Sequence, residues 1–217
     1  MRPGELRKAL VDAILPAYRG RSSAGLGEWL AGHVVLRPTE SLDRPGKYDP
    51  SFTPYAASLL WSFWTDPEAR ELVVRKSSQS GLTVNTLGLV VRLVAEQPGN
   101  VIYAIDSASE ARNISRRLRA MLEDCELTGG LIEEAGDDMT HLAYRLPGMN
   151  VWLIGAGSAG PLANKSAMLG VADELDKHSE IPGEAGTLDL LRQRLKAVEA
   201  GKLVAFSTPT VEGGQTQ

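Results

Sequence analysis

The sequence predicts an α/β fold in which a mainly parallel central sheet carries helices on both faces. From residue 71 onward, apolar runs rich in β-formers alternate with helical stretches. Most of those runs are unbroken by polar residues, the pattern of strands covered on both sides rather than one. Polar and glycine-bearing segments follow the runs, at the strand ends where ligands of open α/β sheets sit.

Residues 1–47 contain two short helical signals, LRKALVDAIL and LGEWLAGHVV, separated by YRGRSSAGLG and followed by the Pro/Gly-rich RPTESLDRPGKYDP. They predict an N-terminal helical arm or lid ahead of a main domain over 48–217. The spacing in SFTPYAASLLWSFW predicts a helix with Trp61 and Trp64 as core anchors. Next come a strand at LVVRK, a helix at TVNTLGLVVRLVAEQ, a strand at VIYAID and a helix at SEARNISRRLRAMLEDC. Ser107 and Glu110 are spaced as a capping box at the start of that last helix. Three more strands are expected at NVWLIGAG, AMLGVADE and KLVAFSTPT, with the helix TLDLLRQRLKAVEA before the last and Gly201 as its stop. The total is five strands. No internal repeat or low-complexity tract interrupts the series.

Bulk composition narrows the class. With 217 residues, 43% of them hydrophobic and 23% charged, the chain can bury one substantial core. A net charge of -4 gives no global attraction to nucleic acid, so any such contact needs local basic patches. One cysteine, Cys125, excludes an internal disulfide and a cysteine-built zinc site, and fits a reducing compartment. No apolar run approaches the roughly 20 residues that cross a bilayer, and the charged amino terminus is unlike a signal peptide. The expectation is a cytosolic protein without membrane contact.

Three polar clusters stand at strand ends. In KSSQSGLT (76–83), Lys76, Ser77, Ser78, Gln79, Ser80, Gly81, Leu82 and Thr83 lie between a strand and a helix. Such a loop offers backbone N–H groups and a helix N-terminus to phosphate, and Thr83 stands where a P-loop places its magnesium ligand. Leu82 occupies the lysine position of G-x-x-x-x-G-K-[ST], and Lys76 that of its first glycine. An ordinary strand-to-helix turn uses the same small residues. In the second cluster an apolar strand ends in Asp173 and Glu174, whose burial costs several kcal/mol unless a cation or donors compensate. The order suits a metal-holding acid followed by a water-polarising one; a solvated strand end is the alternative, and Asp176 and Lys177 read as surface charges. Third, Ser207, Thr208 and Pro209 leave the last strand, where they form either a phosphate-sensing loop or a plain turn. The histidines His33, His141 and His178 show no metal spacing and read as surface or satisfied core residues.

Taken in order, these pieces resemble the ATPase domain of the large terminase subunit of tailed bacteriophages, lambda-type family. The matching segments are GEWLAGHVVLRP, PGKYDPSFTPY, VVRKSSQSGLT, VIYAIDSASEARNISRRLRAML, GAGSAGPLANKSAMLGVADELD, GEAGTLDLLRQR and STPT. The resemblance implies an ASCE-type, RecA-like P-loop ATPase over 48–217, hydrolysing ATP with Mg2+ to package double-stranded DNA into a procapsid. It implies a deviant Walker A loop in which Lys76 supplies the basic residue, with Lys76, Gly81 and Thr83 on phosphate and magnesium. Asp173 falls to Walker B as a metal ligand, Glu174 to the catalytic carboxylate, and Ser207, Thr208 and Pro209 to the coupling motif. Arg112, Arg116, Arg117 and Arg119 share a predicted helix; Arg117 matches the family's recurrent Arg-Leu position as a catalytic arginine, against a solvated face pairing with Glu110 or Glu123. The implied partners are the portal protein, the small terminase subunit and further copies in a ring on the procapsid, in the cytoplasm of the infected host. The chain stops after the coupling motif, so no nuclease site is expected in it. A helicase-like translocase lobe, suggested by DELD, and a non-catalytic assembly module, suggested by Leu82, are the competing readings.

Overall fold

The computed structural model describes residues 20–39, 41, 44–135, 140, 142–156, 165–178 and 185–209. The expected helix at 6–15 and His141 lie outside the described residues. The elements are α1 (Leu26–His33), the short strands β1 (Val35–Leu36) and β2 (Gly46–Lys47), a 3-10 turn at Pro50–Phe52, and α2 (Pro54–Thr65). β3 (Glu71–Arg75), α3 (Leu82–Glu96), β4 (Val101–Ile105), α4 (Ala108–Asp124) and α5 (Gly129–Ala135) follow. The chain continues through β5 (Ala143–Leu146), β6 (Met149–Gly155), β7 (Leu169–Asp173), a 3-10 turn at Leu175–Lys177, α6 (Thr187–Leu195) and β8 (Lys202–Ser207).

Six strands form the main sheet in the order β3-β8-β7-β4-β6-β5. The first five are parallel and β5 is antiparallel. Every residue of β4, β7 and β8 is buried, as a run covered on both faces requires. Successive side chains alternate between the faces. Tyr103, Val171 and Phe206 join the larger core with α1 to α5, while Ile102, Ala172 and Leu203 meet Leu191 and Leu195 of α6.

Two differences from the sequence reading have physical causes. β5 makes a sixth strand: its alternating burial, with Tyr144 and Leu146 inward, lacks the unbroken apolar signal, and it pairs with β6 through a turn at Gly148, where φ is +76°. α6 ends at Leu195, not beside Gly201, because two tight turns follow, with Val198 N–H bonding Leu195 O and Gly201 N–H bonding Val198 O. The proposed capping box is half made: Ser107 Oγ accepts from Glu110 N–H at 3.2 Å, while the Glu110 carboxylate accepts from Asn113.

The described part of segment 1–47 packs on α3. Leu30 fills the space over Gly88, where a Cβ would come within 2.6 Å of it. Arg92, 2% exposed, donates to Glu96 and to the carbonyls of Ser22 and Ala24, and its guanidinium stacks 3.8 Å from the Trp61 ring. Glu96 accepts from Trp29 Nε1 at 2.7 Å. One buried ion pair therefore ties α1, α2 and α3 together. Among the described residues no helix is long and apolar enough to cross a membrane.

Arg92→Met leaves Glu96 and two carbonyls without their cation and is expected to destabilise the fold by about 3 kcal/mol in urea unfolding. Arg119→Ala removes an exposed partner of Glu123 and is expected to cost at most about 1 kcal/mol. Equal effects would mean that burial does not set the worth of these pairs.

Candidate functional site

β3, β8 and β7 are neighbours running the same way, so their carboxyl ends stand side by side at the ~4.8 Å spacing of a sheet. Arg75 pairs with Ser207, and Asp173 with Phe206, which brings the residues following each strand to one level. Ser207 joins them. Its carbonyl accepts from Lys76 N–H at 2.9 Å and its hydroxyl accepts from Asp176 N–H at 3.1 Å. Three clusters far apart in sequence thus become one site.

The Lys76 ammonium lies at its centre. It forms an ion pair with Glu174 Oε1, donates to Thr208 Oγ1 at 3.3 Å, and its side chain is only 8% exposed. Lys177 approaches the other oxygen of Glu174 at 3.2 Å. Glu174 itself has φ +53°, a left-handed conformation that costs a non-glycine residue energy and turns the chain sharply away from β7. His178 closes that turn: its Nε2 donates to the Asp173 carbonyl at 2.8 Å, so a histidine expected to be a surface or satisfied core residue braces the acidic pair.

The 76–83 loop is held from the α3 side. Gly81 is the N-cap of α3 with φ +77°, and a Cβ there would meet Thr53 at 2.4 Å. No side chain caps the helix, which leaves its first N–H groups for another acceptor. Asn85, fully buried, accepts from Tyr48 OH at 2.6 Å and donates to Gly81 O and Thr53 Oγ1. Tyr55 OH reaches Ser80 O at 3.0 Å. These bracing groups from 48–55 escape a sequence reading, whose only signal for them is the PGKYDPSFTPY segment. Leu82 is buried in the larger core, and Ser77, Ser78 and Gln79 are exposed.

The two acids differ in environment. Asp173 is 1% exposed; its Oδ2 accepts from Tyr103 OH at 2.7 Å and from Thr83 Oγ1 at 3.1 Å, while Oδ1 has no hydrogen-bond partner. Burial raises its pKa above the ordinary aspartate value, a rise that the Tyr103 and Thr83 donors oppose. Burial also pushes Glu174 upward, but there the Lys76 and Lys177 cations outweigh it and hold the carboxyl below its usual range. A buried carboxylate with one free oxygen beside a threonine hydroxyl is a donor set suited to a hard divalent cation. Among the described residues no group of three or more His, Cys, Asp or Glu could hold a metal by itself, so a cation here would draw on Thr83, Asp173 and ligand oxygens.

Other expected residues lie elsewhere. Arg117 lines a cleft of about 610 Å³ with Arg37, Asn113, Arg116, Arg119 and Glu123 along α4. Pro209 is exposed beyond Thr208. His33 pairs with Glu126. A second cleft of about 530 Å³, lined by Trp61, Trp64, Arg92 and Lys202, lies where the strands begin. Its buried cations are already spent, since Lys202 Nζ donates to the carbonyls of Phe63, Asp66 and Ala69.

Residues 43–216 match the family model described as phage terminase large subunit gpA, ATPase domain. Among solved structures, the large terminase of bacteriophage HK97 superposes with a TM-score of 0.60 at 14% identity, over 84% of this chain and 37% of that one. At that identity the likeness is one of fold, and this chain spans well under half of that protein. No curated protein matches the chain.

Because the folded state raises the Asp173 pKa, its charged form opposes folding: the stability tied to that group is present at low pH and is lost as pH rises through the raised value. Asp173→Asn is therefore expected to melt at a higher temperature than the parent at pH 8. The gap should close as the pH falls into the range where the parent's Asp173 is protonated. A variant that melts lower than the parent at pH 8 would contradict this balance.

Proposed function

The chain belongs to the ATPase-domain family of the phage terminase large subunit, and from that premise we propose that the cluster at the ends of β3, β8 and β7 hydrolyses ATP with Mg2+ to drive double-stranded DNA into a procapsid. One observation carries this reading: the Lys76 ammonium, arriving from the start of the loop, occupies the middle of the cluster although the usual lysine position is filled by core-facing Leu82. A cation that enters from the strand side can neutralise phosphate charge as well as one that enters from the helix side, because an ammonium acts as a point charge on a flexible stem.

In this reading residues 76–83 and the uncapped start of α3 take the phosphates. Thr83 and Asp173 hold Mg2+, which when bound supplies charge neutralisation to the transferring phosphoryl group. Glu174 orients the attacking water and accepts its proton. In the structure that carboxylate is paired with Lys76 and Lys177. A triphosphate competes for Lys76, so its arrival loosens the carboxylate that hydrolysis needs. Ser207 and Thr208 touch both the Lys76 and Glu174 segments, which suits them, with Pro209 beyond, to pass the change into β8. Arg117, which lines the cleft along α4, serves a neighbouring copy's phosphate in a ring. The portal protein and the small terminase subunit are the further partners, in the cytoplasm of the infected host.

Lys76→Ala and Glu174→Gln are each expected to lower Mg-dependent ATP turnover by roughly 100-fold or more, the scale of losing a charge stabiliser or a general base. Glu174→Gln should still bind nucleotide in titration calorimetry. Wild-type turnover in both variants, or no Mg-dependent ATP binding by the parent at millimolar nucleotide, would defeat the assignment.

A further inference from the structure

Tyr103 lies in the middle of β4, opposite Val171 of β7 in the parallel register. Residues 169, 171 and 173 share a face, so a ring rising from 103 along that face meets the side chain two positions beyond its pairing partner. There its hydroxyl donates to Asp173 Oδ2 at 2.7 Å. The residue is completely buried, and phenylalanine would fill nearly the same space. A buried hydroxyl without a partner costs about 1–3 kcal/mol, so the tyrosine is accommodated by the carboxylate it serves. The service is mutual. The terminal torsion of an aspartate is broad and roughly two-fold, so one donor does not fix which oxygen faces outward. Thr83 Oγ1 bonds the same Oδ2 at 3.1 Å, and Oδ1 is left buried without a hydrogen-bond partner.

We propose that Tyr103 is a positioning residue for divalent-cation binding, holding Asp173 Oδ2 from the core so that Oδ1 is the oxygen presented to the metal. The inference rests on the reading above that Asp173 and Thr83 hold Mg2+. Thr83 cannot do this work alone, because its hydroxyl is itself a metal ligand in that reading and must orient toward two partners. The Tyr103 hydroxyl is fully buried and approaches from the core side of the sheet, so its donor is not exchanged for water.

The test is Mn2+ binding, followed by electron paramagnetic resonance, to the full chain saturated with a non-hydrolysable ATP analogue. Tyr103→Phe is expected to raise the Mn2+ dissociation constant about 10–100-fold, the usual cost of losing an outer-shell partner. Analogue affinity without metal should be unchanged. In an Asp173→Asn background the same substitution should have no further effect on residual Mn2+ binding, since the hydroxyl acts only through the carboxylate. Should Tyr103→Phe fold poorly, Tyr103→Met removes the donor with a different filling of the core and is read the same way. An unchanged Mn2+ constant in a folded variant, or an equal loss in both backgrounds, overturns the positioning role. If parent Mn2+ binding does not depend on Asp173, the metal reading itself falls, and this inference with it; if it does, only the role of Tyr103 is at stake.

Discussion

Everything chemical in this chain depends on three parallel strands being immediate neighbours. β8, the last of the described strands in sequence, inserts between β3 and β7, and its Ser207 uses its carbonyl toward Lys76 and its hydroxyl toward the 174–177 turn. No local propensity could bring residues 76, 173 and 207 to one place. The ladder does so at fixed spacing, with backbone hydrogen bonds that a substitution in the site does not remove. Charges can then be arranged on a rigid rim, leaving their protonation and pairing to be decided by neighbours.

That arrangement explains why two adjacent acids behave oppositely. Asp173 still belongs to the strand, faces the core side and meets neutral donors, so burial dominates its pKa. Glu174 is swung out by its left-handed backbone to where two lysines reach it, so cations dominate. One residue of chain thus separates a group suited to gripping a metal from one suited to taking a proton. The left-handed turn costs about 1–3 kcal/mol, and the His178 bond to the Asp173 carbonyl is part of what sustains it.

Much of the fold was legible because central strands advertise themselves. β4, β7 and β8 are apolar throughout since both faces are covered, and the polar residues after them mark the functional rim. Edge elements were harder: β5 is short and alternating. The tail of α6 looked helical because Ala, Glu and Lys favour helix, while tertiary packing ended it at Leu195. In the candidate site, Lys76, Thr83, Asp173 and Glu174 could be picked out by residue type and position relative to strands. Their supports could not. Tyr103 reaches across 70 positions and Tyr48 across 37, and an apolar strand containing one tyrosine reads as core.

The supports also divide the loop into two mechanical halves. On the α3 side Gly81 is clamped, because Thr53 leaves no room for a Cβ, Asn85 holds its carbonyl and Tyr48 holds Asn85. On the β3 side the corresponding anchor is a lysine whose partners are charged or hydroxylic and exchangeable. A phosphate entering such a loop would meet a preformed cradle at one end and a competitive ion pair at the other. Preorganisation favours binding, since little conformational freedom is left to lose. In the proposed reading, competition would couple binding to a change at Glu174, since Lys76 cannot fully satisfy both anions. A lysine at position 82 would confine the cation to the clamped half, whereas Lys76 directly follows β3 and its backbone N–H bonds the Ser207 carbonyl of β8. In the proposed reading, the displaced lysine would place the nucleotide-sensing charge beside Ser207 and Thr208, the segment proposed to transmit it.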